Sequence, residues 1–240
     1  MIEKTDQFVR RRRAVLSVLA SCILPVSLLA QAPIRLVGTD IGTFGGTTTE
    51  LGNGAYSLSG AGTKAFNNDG DEVHFAYETI TGDFDRRVKI KSVKGGPSDR
   101  NRGGIMVRDS AEAAGRTIKL SASGLSENGT AGANSIELWT RLDPQAAYAK
   151  LGRSYGGLAR VLPNQWLRLQ RIGNYFAAYV GTNGQNWSLI VDQYARELGD
   201  KVMVGIYAAS ASADASSTAT VEYENYGAVQ TADTTAPTLV

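Results

Sequence analysis

Trp166-Leu167-Arg168-Leu169-Gln170-Arg171-Ile172 reads as a strand with one dry face and one wet face. Leu167 and Leu169 interleave with Arg168 and Gln170, the period of two that a pleated backbone imposes on its side chains. Gly173-Asn174 breaks the run before a second apolar segment at 175–180. Asn183-Gly184 then separates that segment from a third at 187–191. An Asn-Gly pair between two such runs predicts a hairpin tip, because both residues tolerate the positive φ that a tight turn needs.

The same grammar extends in both directions. Short strand-like segments at 73–79, 84–93, 104–108, 117–122, 136–141, 201–209 and 219–226 are broken by Gly, Asn and Asp. Helical signals are scarce: only 109–114 and 143–150 are rich in helix formers, and neither allows more than a turn or two. Many short strands with turn signals every few residues predict an all-β chain folded as a two-sheet antiparallel sandwich or jelly roll. Hydrophobic residues make up 42% of the 240, enough for a real core. The 27 glycines suit a fold with many turns.

The overall charge of +2 misleads. Removing the five cations and two acids of residues 1–30 leaves 20 Lys and Arg against 21 Asp and Glu, a mature chain near neutrality. That excludes the basic footprint of a nucleic-acid binder. The first thirty residues read as a secretory signal. Arg10-Arg11-Arg12-Arg13 precedes an apolar run from 14 to 30, and small Ala30 marks a cleavage point before Gln31. Leu19-Ala20-Ser21-Cys22 is similar to a bacterial lipobox, but the residues after Cys22 stay apolar instead of turning polar. Cys22 is the only cysteine, so cleavage after Ala30 leaves a domain that relies on its core alone. The expected organisation is a signal at 1–30, an N-terminal extension at 31–37, the sandwich at 38–228, and a linker or tail at 229–240. That small, polar, Pro-bearing tail could lead to a further module. Secretion, to the periplasm or the cell surface, follows, with no membrane partner once the signal is removed.

A resemblance adds to this reading. Asp71-Glu72-Val73-His74-Phe75-Ala76-Tyr77, Gly82-Asp83-Phe84-Asp85 and Gly104-Ile105-Met106-Val107-Arg108-Asp109-Ser110 come in that order. Trp166-Leu167-Arg168-Leu169-Gln170-Arg171, Gly173-Asn174-Tyr175-Phe176 and Asn183-Gly184-Gln185-Asn186-Trp187 follow. The succession resembles the concanavalin A-like domains of the regulation-of-enolase type, found as accessory modules in secreted bacterial enzymes and as stand-alone domains. It implies a concanavalin A-like jelly roll and, less directly, sugar binding. It supplies no mechanism.

The candidate sites follow from residue types. His74 is the only histidine, so any catalytic triad must pass through it. Val73, Phe75 and Tyr77 should form the core face of their strand, turning Glu72, His74 and Ala76 outward or into a groove. A glycosidase needs two carboxylates across a groove. Glu72, Glu137, Glu222 and Glu224 are available, but nothing marks a pair. The Glu-x-Asp-x-x-Glu strand of catalytic sandwiches is absent. A non-catalytic carbohydrate-binding module is therefore the leading expectation; a glycoside hydrolase or lyase on the same sandwich and a structural or adhesive surface domain are the alternatives. Aromatic faces suit the apolar side of a sugar ring and planar polar groups its hydroxyls. On that basis Glu72, His74, Arg108, Trp139 and Arg168 are the expected binding floor for a polysaccharide or glycan. Trp139 should face away from the core with Glu137 and Arg141, because Ile136 and Leu138 claim the inner side. Trp166 and Trp187 read as core residues or edge plugs. No cofactor is expected apart from calcium: Asn67-Asn68-Asp69-Gly70-Asp71-Glu72 is rich in oxygen ligands, which makes Asp69 and Asp71 the candidate metal ligands, although the EF-hand spacing is incomplete.

Overall fold

The computed structural model describes residues 34–62, 70–95, 101–123, 136–144, 146–154, 165–210, 212, 214 and 216–229. The signal reading, Cys22, Asp69 and the C-terminal linker lie outside the described residues. Among the described residues, no helix is long and apolar enough to cross a membrane.

The strands, in chain order, are β1 (Val37–Ile41), β2 (Gly46–Gly52), β3 (Ala55–Gly60), β4 (Val73–Thr81), β5 (Phe84–Gly95), β6 (Arg102–Arg108) and β7 (Thr117–Ser123). There follow β8 (Ile136–Arg141), β9 (Ala149–Ser154), β10 (Gln165–Ile172), β11 (Tyr175–Gly181), β12 (Ser188–Tyr194), β13 (Lys201–Ala209) and β14 (Ala219–Ala228). They form two antiparallel seven-stranded sheets. Sheet A runs β1-β4-β13-β6-β7-β8-β9, and sheet B runs β12-β11-β10-β5-β14-β3-β2. The architecture is the expected two-sheet β-sandwich. The 3-10 turn at Arg196–Leu198 is the helical element among the described residues. The described residues of 109–114 and 143–150 form bends, turns, irregular backbone and the start of β9.

Every strand expected from the sequence is present; β1, β2, β3 and β9 are additional. β2 is mostly exposed and rich in Thr, so it lacked the apolar alternation that betrays a half-buried strand.

The sheets meet through a core of alternate residues. Sheet A contributes Ala76, Ile105, Val107, Ile118, Leu120, Ile136, Leu138, Val204 and Ile206, and sheet B contributes Leu58, Val88, Ile90, Leu167, Leu169, Phe176, Val180 and Val221. Tyr223, buried between them, ties the layers: its hydroxyl donates to Tyr207 O at 2.5 Å and accepts from Gly104 N at 2.8 Å.

The far face of sheet A is not wet. A second cluster of Ile41, Val73, Phe75, Met106, Tyr207 and Ala209 lies there. This reverses the expected facing of β4. Val73, Phe75 and Tyr77 belong to the far face, and Ala76 to the inter-sheet core. The physical reason is burial on both sides: Val73 to Ala76 are all buried, so period-two alternation has no polar phase to show which dry face is which. Size decides it instead. A Cβ at Gly46 of β2 would lie 2.4 Å from His74 Cβ, so His74 fits between the layers only where sheet B carries no side chain.

Candidate functional site

The far face of sheet A holds the densest polar chemistry. Antiparallel register sets residues opposite one another in rows: Tyr207, Gly104, Ser121 and Glu137 in one; Met106, Lys119 and Trp139 in the next; Met203, Arg108, Thr117 and Arg141 in a third. Trp139 stands on this face with Glu137 and Arg141, as their alternation with Ile136 and Leu138 predicts. It is not a solvated face, however. Glu137 is 2% exposed and Arg141 1%, while Trp139 is half-buried.

At one end of the face, Asp71 is a hub. Its Oδ2 accepts from Arg141 Nη2 at 3.0 Å and from Arg108 Nη1. Its Oδ1 accepts from Lys119 Nζ at 3.0 Å and from the Tyr148 hydroxyl at 2.6 Å. The bend at 109–115 turns carbonyls onto the same guanidiniums. Ser110 O accepts from Arg108 Nε at 2.9 Å, Gly115 O from Arg141 Nε at 3.0 Å, and Ala113 O from Arg141 Nη2 at 2.7 Å. Tyr148 caps the cluster, with Lys119 Nζ 4.0 Å and Arg141 Cζ 4.6 Å from its ring centroid.

Electrostatics follow from the geometry. Burial pushes the Asp71 carboxyl up, but the charges of Lys119, Arg108 and Arg141 and the Tyr148 hydrogen bond outweigh it and hold the group below its ordinary value. Burial pushes the Lys119 ammonium down to about 7, against the pull of Asp71 and with the repulsion of Arg108 and Arg141. The hub carboxylate therefore stays ionised, and Lys119 is the member that exchanges a proton near neutrality. Asp71 has thus taken four hydrogen bonds from three cations and a phenol. A calcium ion at Asp71 would have to displace those cations. No cluster of His, Cys, Asp and Glu suited to a metal is found among the described residues.

Further along the face, Trp139 Nε1 donates to Glu137 Oε2 at 2.9 Å, and Arg102 Nη1 donates to the same oxygen at 3.1 Å. Lys150 Nζ lies 3.9 Å from Glu137 Oε1 and 5.3 Å from the Trp139 ring centroid. The indole is thus fixed by its N–H while part of the ring remains exposed.

The five expected floor residues do not share one surface. Arg108 and Trp139 lie on the far face of sheet A, with Arg108 wholly buried in the Asp71 cluster. His74 lies at the inter-sheet margin, its Nδ1 2.6 Å from Asp40 Oδ1 and its Nε2 2.7 Å from Thr48 Oγ1. It clips β1, β4 and β2 together. Glu72, just before β4, accepts from Thr43 Oγ1 at 3.2 Å. Arg168 occupies the outer face of sheet B, forked onto Asp85 at 2.8 and 2.5 Å. Trp166 and Trp187 are there too, edge to face with centroids 6.4 Å apart. Trp166 is plugged beneath the Asn183-Gly184 hairpin, so both tryptophans lie outside the inter-sheet core. Glu222 and Glu224 also belong to sheet B, bonded to Ser92 and Lys89 at 3.0 Å each. They share no groove with Glu137.

Sequence reasoning missed Lys119, Thr117 and Tyr148. Lys119 stands in a strand buried at every position; a lysine between Ile118 and Leu120 was the available signal, since long cations are rarely buried unless paired. Tyr148 sits in irregular backbone just before β9, with no marked pattern.

No family model matches the chain, and neither does any curated protein sequence. Solved structures do share its fold. A functionally unknown protein from Saccharomyces cerevisiae superposes with a TM-score of 0.56 at 18% identity, over 79% of this chain and 94% of that one. The GH43 protein BlXynB from Bacillus licheniformis matches with a TM-score of 0.50 at 16% identity, over 72% of this chain. The match spans 33% of that larger protein. The lectin I-B4 from Griffonia simplicifolia aligns over 82% of this chain at 9% identity, with a TM-score of 0.43. At these identities the likeness establishes the two-sheet antiparallel β-sandwich fold and nothing finer.

Proposed function

We propose that the chain is an exported, non-catalytic carbohydrate-recognition module. Its glycan would lie on the far face of sheet A, across Trp139 and Tyr148. The observation that carries this reading is the half-buried Trp139 ring, fixed by its bond to Glu137, on the same face as a second half-buried aromatic, Tyr148. Rigid aromatic surface flanked by planar charged groups is what a pyranose ring with equatorial hydroxyls can use. On sheet B, Trp166 and Tyr179 already carry cations on their faces. Arg87 lies 5.5 Å from the Trp166 centroid, and Arg168 lies 4.8 Å from that of Tyr179. Arg168 is held there by Asp85, whereas the Lys150 side chain above Trp139 is 39% exposed.

Glycan-array binding without release of reducing sugar is the expected result. Trp139→Ala should weaken that binding by about 1–3 kcal/mol, the scale of a stacking aromatic. Its circular dichroism spectrum should stay β-dominated. Unchanged affinity in the variant, or binding to no glycan, would refute the assignment.

A further inference from the structure

The Asp71 cluster carries more positive charge than its carboxylate can balance. Arg108 and Arg141 are both fully buried and cannot shed their protons. Among the described residues, Asp71 is the one carboxylate that reaches them. Lys119 can relieve its own charge by deprotonation, but the two guanidiniums cannot, so one buried positive charge stands in excess. Burying charge without a counter-charge is costly.

Two further observations point to where the balance lies. Arg141 Nη1 is buried and has no hydrogen-bond partner, and neither has the buried Thr117 Oγ1. These residues are direct cross-strand neighbours on β7 and β8, and Thr117 is also paired with Arg108 on β6. Side chains so paired stand about 5 Å apart at Cβ. Two N–H donors and a hydroxyl donor thus share one row of the sheet with two fixed cations, with no acceptor supplied among the described residues. Orphaned buried donors beside uncompensated charge describe the lining of an anion site.

We infer that the row Arg108–Thr117–Arg141 binds a small inorganic anion of halide size, held by Arg141 Nη1 and the Thr117 hydroxyl. The site lies beside Tyr148, whose ring also borders the proposed glycan surface. An ion there would neutralise the guanidinium excess and couple the stability of this end of the sandwich to the anion concentration.

Thermal unfolding of the purified chain tests this at constant ionic strength, with sodium gluconate replaced stepwise by sodium chloride or bromide. A saturable rise in Tm is expected, about 5 °C once the halide far exceeds its half-saturating concentration. Thr117→Val preserves shape and removes the hydroxyl. It should fold in gluconate with nearly the wild-type Tm and shift half-saturation at least roughly tenfold, the loss of one hydrogen bond to a charged group. Crystals grown in bromide should show an anomalous peak between Thr117 and Arg141. A Tm indifferent to halide, an identical response in Thr117→Val, or a water at that position would overturn the inference.

Discussion

Asp71→Asn should destabilise the fold by about 3–5 kcal/mol, the cost of removing the shared partner of buried cations. The side chain keeps its size, so the loss is electrostatic. One neutral amide replaces a carboxylate that accepts from Arg108, Arg141, Lys119 and the Tyr148 hydroxyl. The guanidiniums cannot deprotonate, so the penalty remains at any ordinary pH. Urea unfolding at pH 7 measures it; a cost under about 1 kcal/mol would mean that Arg108 and Arg141 are held by the loop carbonyls alone.

The same pair of proteins predicts a pH dependence with a definite sign. The folded pKa of Asp71 is lowered from 3.8, so its stabilisation is fully present above the unfolded value. It is lost as the pH falls through the folded pKa, where the native carboxylate must take up a proton. The wild type and Asp71→Asn should therefore differ most at neutral pH and converge below pH about 4. Lys119 acts in a different window. Its folded pKa of about 7 lies below its ordinary 10.5, so its contribution rises with pH between those values and is lost as the pH falls towards 7. An acid limb that persists unchanged in Asp71→Asn would assign the loss to other carboxylates.

Leu138→Ala should cost about 2–5 kcal/mol, because Leu138 is fully buried between the sheets and the rigid layers cannot collapse onto the space. Its neighbour Trp139 is the larger side chain, yet Trp139→Ala should cost less than this, since the ring is half-exposed and fills no volume between the layers. The ordering inverts what residue size alone suggests. Guanidinium unfolding of the two variants decides it. A greater loss from Trp139→Ala would place the indole in a load-carrying core and withdraw it as a ligand surface.

The two outcomes turn on adjacent residues of β8, and they show how far the sequence reaches. Alternation along 136–141 was enough to send Ile136 and Leu138 one way and Glu137, Trp139 and Arg141 the other. The strands, the hairpin at Asn183-Gly184 and the sandwich itself were legible for the same reason: where one face is dry and the other wet, period-two patterning records it. Where both faces are dry the record is blank. Val73 to Ala76 and Thr117 to Ser123 are buried throughout, so the facing of Phe75 was misassigned and Lys119 passed unnoticed. Only packing settled those positions, through the missing side chains of Gly46 and Gly60 that let His74 lie between the layers. The Asp71 hub is likewise a product of tertiary structure. Its members come from 71, 108, 119, 141 and 148, brought together by the order β6-β7-β8 and by the bend at 109–115. Local composition around Asp71 suggested oxygen ligands for calcium, because local sequence cannot reveal that three cations arrive from strands far along the chain. Period two is a local property of the backbone, whereas charge neutralisation in a buried cluster depends on which strands become neighbours, and that is fixed only when the sheet closes.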